Sequence, residues 1–144
     1  MAAAAPRLAA LAAGLLAVAS QACEFRAPGH WRLAFGTLQP ASGQTVRTTA
    51  LAPEPAGVGN CPAGTSMQIG ILGSESGAGG PLRLRHEAGQ GDIAYRLELP
   101  SLLVSPGAGR FVPLPPITGE IAGPAYRDAA PGHYRDTVIL QVTP

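Results

Sequence analysis

The chain has 144 residues, enough for one domain and too few for two, with ten arginines, no lysine and nine acidic residues for a formal net charge of +1. A nearly neutral chain without a basic stripe does not suit nucleic acid. With 19 Gly and 15 Pro its loops must be long and plentiful, although the alternating patterns below argue against global disorder.

The first stretch, "MAAAAPRLAALAAGLLAVASQA", has an early positive charge at Arg7, an apolar run from Leu8 to Val18 and a small-x-small close at Ser20-Gln21-Ala22. This predicts a secretory signal peptide over residues 1–22, with a mature start at Ser20 or Cys23. The apolar run is too short to span a membrane, so no transmembrane segment is expected in the mature chain.

From there, strand-like alternation recurs. "HWRLAFG" sets Trp31, Leu33 and Phe35 on one face. "QTVRTTAL" does so with Val46, Thr48 and Ala50, and "SMQIGIL" with Met67, Ile69 and Ile71. "LRLR" alternates Leu82 and Leu84 with two arginines. "DIAYRLEL" points Ile93, Tyr95, Leu97 and Leu99 one way and Arg96 and Glu98 the other. "PITGEI" keeps Ile117 and Ile121 in phase, and the terminal "YRDTVILQVT" aligns Tyr134, Val138, Leu140 and Val142. "FVPLPP" has too many prolines for a central strand. Between these runs lie Gly/Pro-rich turn signals, among them "APEPAGVGNCPAGT", "GSESGAGGP", "HEAGQGD" and "GPAYRDAAPG". No stretch after the leader keeps a helical period for three turns. About seven short strands and a cysteine pair predict an all-β, immunoglobulin-like sandwich over residues 23–144.

Cys23 and Cys61 stand 38 positions apart. In an exported chain a pair of cysteines points to a disulfide. The rival is a lipid on Cys23, but Ser20 stands where lipidation signals carry a Leu-like residue. Other chemistry is thin. His30, His86 and His133 have no zinc spacing. "GQGDIA" mimics a dinucleotide fingerprint, but a strand follows it where a helix is required, so it reads as a hairpin turn. "GSESG" puts Ser74 and Ser76 at the wrong offset for a nucleophile elbow. Asp128 and Asp136 form no evident carboxylate pair. The pattern predicts no enzyme, cofactor or metal site.

Five segments stand out together and in order: "LAFGTLQP", "NCPAGTSMQIGI", "GDIAYRLEL", "GEI" and "APGHYRDTVILQVTP". They resemble the spore coat protein U domain, the subunit of archaic chaperone–usher pili. The match rests most on Pro131, Gly132, Tyr134, Asp136, Thr137 and Val138, then on Phe35-Gly36 after an N-terminal Cys. A Trp-Gly segment common in the middle of that family is replaced here by "SLLVSPGAGRFVPLPP". The resemblance implies an immunoglobulin-like domain lacking its last strand. A periplasmic chaperone, and then a neighbouring subunit delivered through the usher, would supply that strand. It implies an exported fimbrial protein passing through the periplasm to the cell surface, with roles in adhesion and biofilm. On this reading Val138, Leu140 and Val142 line the donor-strand groove. The predicted cleavage leaves at most three residues before Cys23, too few to donate a strand, so a tip or terminal subunit is expected. The alternative is a secreted or periplasmic, self-contained β-sandwich binding module.

Overall fold

A computed structural model describes residues 22–26, 32–52, 55–77 and 80–144. Residues 1–21 of the signal peptide expected over 1–22, and with them the tip assignment that rests on its boundary, lie outside the described residues. So do His30 and Trp31.

The described chain is all-β with only antiparallel pairing. Its strands are β1 (Glu24–Arg26), β2 (Val46–Ala50), β3 (Gly57–Gly59), β4 (Ser66–Ser74), β5 (Leu82–His86) and β6 (Asp92–Glu98). They continue as β7 (Leu103–Val104), β8 (Phe111–Pro113), β9 (Ile117–Ile121), β10 (Tyr134–Arg135) and β11 (Val138–Thr143). They form three sheets, ordered β10-β5-β6-β9-β2, β11-β4-β7 and β1-β3-β8. Among the described residues no helix is long and apolar enough to cross a membrane.

The five-stranded sheet follows from period-2 alternation. Ile93, Leu82, Ile117 and Ile121 are buried, while Arg83, Arg96 and Glu98 on the opposite face are exposed. That outer face holds an ion-pair ladder in which Arg47 meets Glu98 and Glu120, and Arg96 meets Glu120. The inner face packs on β4 and β11. Ile117 and Leu97 share one apolar cluster with Met67, Ile69, Leu140 and Val142, which makes the architecture sandwich-like. "GQGDIA" forms the β5–β6 hairpin connection, with Gly89 and Gly91 at positive φ.

Three expectations need correction. Leu33 and Phe35 are in no strand. They are half-buried and lie over Gly119, whose missing side chain leaves them room. "AGVGN" reads as a turn, yet Gly57–Gly59 is the middle strand of a sheet. A Cβ at Gly57 would meet the Val112 carbonyl at 2.6 Å, so glycine permits the close pairing with β8. "GPAYRDAAPG" reads as an open loop. It holds a 3-10 turn, Gly123–Tyr126, that buries Tyr126 completely, with its hydroxyl donating to the Gln44 carbonyl at 2.7 Å. The proline-rich "FVPLPP" does enter a strand, but only at a sheet edge, in keeping with the lost N–H of Pro113.

Candidate functional site

The sequence from Val138 to Pro144 contains no charged side chain, and from Val138 to Thr143 half-buried residues alternate with exposed ones. It forms β11, paired with β4 from Val138 opposite Ser74 to Thr143 opposite Gln68. Opposed residues of an antiparallel pair point to the same side, so Val142 opposite the buried Ile69 and Leu140 opposite Ile71 face inward. Val138, Leu140 and Val142 are all half-buried, and Ile139, Gln141 and Thr143 are exposed, as their parity requires. β4 bulges by one residue at Leu72 to keep this register.

β11 is the outermost strand of its sheet, and among the described residues no strand pairs its other edge. Ile71 belongs to the inward phase of β4, yet it remains 39% exposed. Among the described residues the inner face is therefore open at Ile71, beside the apolar strip that Val138, Leu140 and Val142 form. It lacks the usual protections of an edge, namely a lysine, an inward charge or a proline within the strand.

The nearest other wall is β1, whose Cα atoms come within 8 Å of β11 without any ladder between them. β1 is itself a sheet edge, and its Phe25 packs on the same cluster as Leu140 and Val142. Its start is fixed by the Cys23–Cys61 disulfide, with both cysteines buried and the Cα atoms 4.9 Å apart. This bond leaves Cys23 no free thiol for a lipid.

The turn before β11 gathers most of the remaining motif. Tyr134 donates its hydroxyl to the Ala130 carbonyl at 2.7 Å and sets its ring edge-on to His86, 4.9 Å away. The Ala88 N–H donates to His86 Nδ1, which leaves Nε2–H to donate to the Pro131 carbonyl at 2.8 Å. Gly132 lies at φ 146 against that imidazole, where a Cβ has no space. Asp136 sits where the chain leaves the five-stranded sheet for β4. Its Oδ2 accepts from the Tyr95 hydroxyl at 2.7 Å and from Ser76 at 3.3 Å. Burial, then the hydrogen bond to Asp136 and its negative charge, push the Tyr95 phenol above its ordinary pKa. The Thr137 carbonyl accepts from the Glu75 N–H, so both sides of the crossing are tied.

Phe35 stands apart from β11, edge-on to Tyr95 at 6.0 Å, and Gly36 makes an exposed turn at φ 75. The motif residues thus divide. Val138, Leu140 and Val142 form the strip, Gly132, Tyr134, Asp136 and Thr137 aim it, and Phe35 supports the opposite sheet. Ser74 and Ser76 hydrogen-bond each other at 2.7 Å in the β4–β5 connection, and His133 is exposed on a loop. Asp128 lines a shallow surface depression with Asp92 and Tyr134. Phe25 and Ile71, the walls of the strip, are not evident from sequence. Ile71 has the right parity, but nothing in the sequence says that its cover is absent. No protein-family model matches the sequence, and no curated protein is significantly similar to it.

Proposed function

We propose that this protein is an exported structural or adhesive subunit of a chaperone–usher type pilus, of the spore coat protein U kind, completed by a strand added to β11. The observation that carries this reading is the unpaired edge of β11 beside an inward apolar face, on which Ile71 of the neighbouring β4 is still 39% exposed. An added strand would satisfy the unpaired backbone groups of β11 and cover Val138, Leu140 and Val142 together. The Tyr134 hydroxyl, bonded to the backbone four residues upstream at the entry to the last strands, supports the immunoglobulin-like version of the sandwich, which carries such a tyrosine corner. The partners on this reading are a periplasmic chaperone, an usher and a neighbouring subunit.

One observation favours the self-contained binding module. β1 already comes within 8 Å of β11, so a small inward movement would let the chain close its own edge. Periplasmic expression with and without an immunoglobulin-like pilus chaperone separates the two. A pilus subunit is recovered as a one-to-one complex and is degraded or aggregated without the chaperone. A module is recovered as a stable monomer in both cases.

A further inference from the structure

The strands that end the three sheets are β10 and β2, β11 and β7, and β1 and β8. All but β11 carry a feature that keeps a sheet edge from pairing with another chain, namely a charge, a proline or shortness. β10 carries Arg135, β2 carries Arg47, β1 carries Glu24 and Arg26, β8 carries Pro113, and β7 is two residues long. β11 has six residues, none charged and none proline, and the bulge in its ladder lies on β4. Among the described residues it is the edge strand without such a device.

β11 is also matched to itself. A strand pairs antiparallel with its own copy about a two-fold axis normal to the sheet, and opposed residues then point to the same face. Centred on Leu140, that pairing sets Leu140 against the partner's Leu140, Val138 against the partner's Val142 and Ile139 against the partner's Gln141. The first two contacts lie on the half-buried inner face, and the third lies on the exposed outer face. Ile71 stands opposite Leu140 on β4, so the Ile71–Leu140 pair of one copy meets the same pair of the other in a row across four strands. No like charges meet, because the segment from Val138 to Thr143 carries none.

We propose that β11 pairs edge to edge with β11 of a second copy of this chain, in the register centred on Leu140. The two three-stranded sheets then become one sheet of six strands. A single strand pair is a small interface beside the roughly 1,200–2,000 Å² of stable complexes, so the pairing is weak and a donated strand displaces it. This inference rests on the free β11 edge of the strand-accepting reading.

Sedimentation of the exported chain over a wide range of concentration should show monomers passing to dimers as concentration rises. Ile139→Lys with Gln141→Lys sets lysine against lysine on the outer face and should weaken the dimer about tenfold. Both positions are exposed, and urea midpoints establish that this variant folds. Opposed residues of an antiparallel pair have Cα atoms about 4.5–5.5 Å apart, within reach of a disulfide. Ile139→Cys mixed with Gln141→Cys should therefore cross-link under mild oxidation, and neither variant should do so alone. A synthetic peptide alternating valine with threonine should return the unaltered dimer to monomers that each carry one peptide. Monomers at every concentration that still bind the peptide overturn the self-pairing alone. Dimers that the lysines leave intact, or that fail to cross-link in the mixture, do the same. Monomers that bind no peptide overturn the strand-accepting reading and the self-pairing with it.

Discussion

Replacing Val142 with aspartate, set against the same change at Gln141, isolates the inner face of β11. Val142 is half-buried, opposite Ile69, and packs in the cluster with Met67, Leu140 and Ile117. Losing the burial of roughly half a valine costs about 1 kcal/mol. A carboxylate facing that cluster adds about 1–3 kcal/mol for incomplete solvation. The total of about 2–4 kcal/mol is a large share of the roughly 5–15 kcal/mol that holds a typical domain. Gln141 is exposed, and aspartate there costs within about 0.5 kcal/mol. Urea unfolding followed by circular dichroism gives both midpoints, and Val142→Thr, which keeps the shape and adds only a hydroxyl, should fall between them. Capture of a synthetic peptide alternating valine with threonine is then measured in buffer where each variant is folded. Val142→Asp should abolish it and Gln141→Asp should leave it intact. Equal effects of the two aspartates on stability and capture would refute the assignment of Val138, Leu140 and Val142 to one inward face.

Two further outcomes follow from the surrounding geometry. Replacing both Cys23 and Cys61 with serine should lower stability by about 4 kcal/mol, the loop-closure value for a 38-residue separation, as read by urea midpoints. A loss below about 1 kcal/mol would mean that β1 is fixed by its other contacts. Tyr95 has a raised pKa in the fold, so its contribution is fully present below the unfolded tyrosine value of about 10 and is lost as pH rises above it. Urea midpoints measured from about pH 8 to 11 should decline at the top of the range, and Tyr95→Phe should flatten that decline. An identical decline in the two proteins would separate Tyr95 from the alkaline transition.

The longer strands are legible in the sequence because each has one wet and one dry face, and β11 is legible for the same reason. In β4, β5, β6 and β9 polar and apolar residues alternate over at least four positions, enough for a period of two to stand out. β3 is hidden because its selection is for absence. Gly57 and Gly59 are there to let β8 approach, and glycine in a sequence reads as a turn. Leu33 and Phe35 alternate like a strand but find no ladder, because the space they fill is made by Gly119, far along the chain. The site is half legible. Parity names Val138, Leu140 and Val142, whereas the open position of Ile71 and the approach of β1 arise only from how distant elements meet.

Hydrogen exchange on the β11 amides, with and without a synthetic peptide alternating valine with threonine, addresses the central claim most directly. Half of those amides point toward β4 and are bonded in the ladder, and the other half point to the free edge. The outward set should exchange in the isolated protein on the timescale of an exposed loop while the inward set is protected, and peptide should slow the outward set to match. Equal protection of both sets in the isolated monomer would mean that the chain closes its own edge, and the strand-accepting account would be wrong.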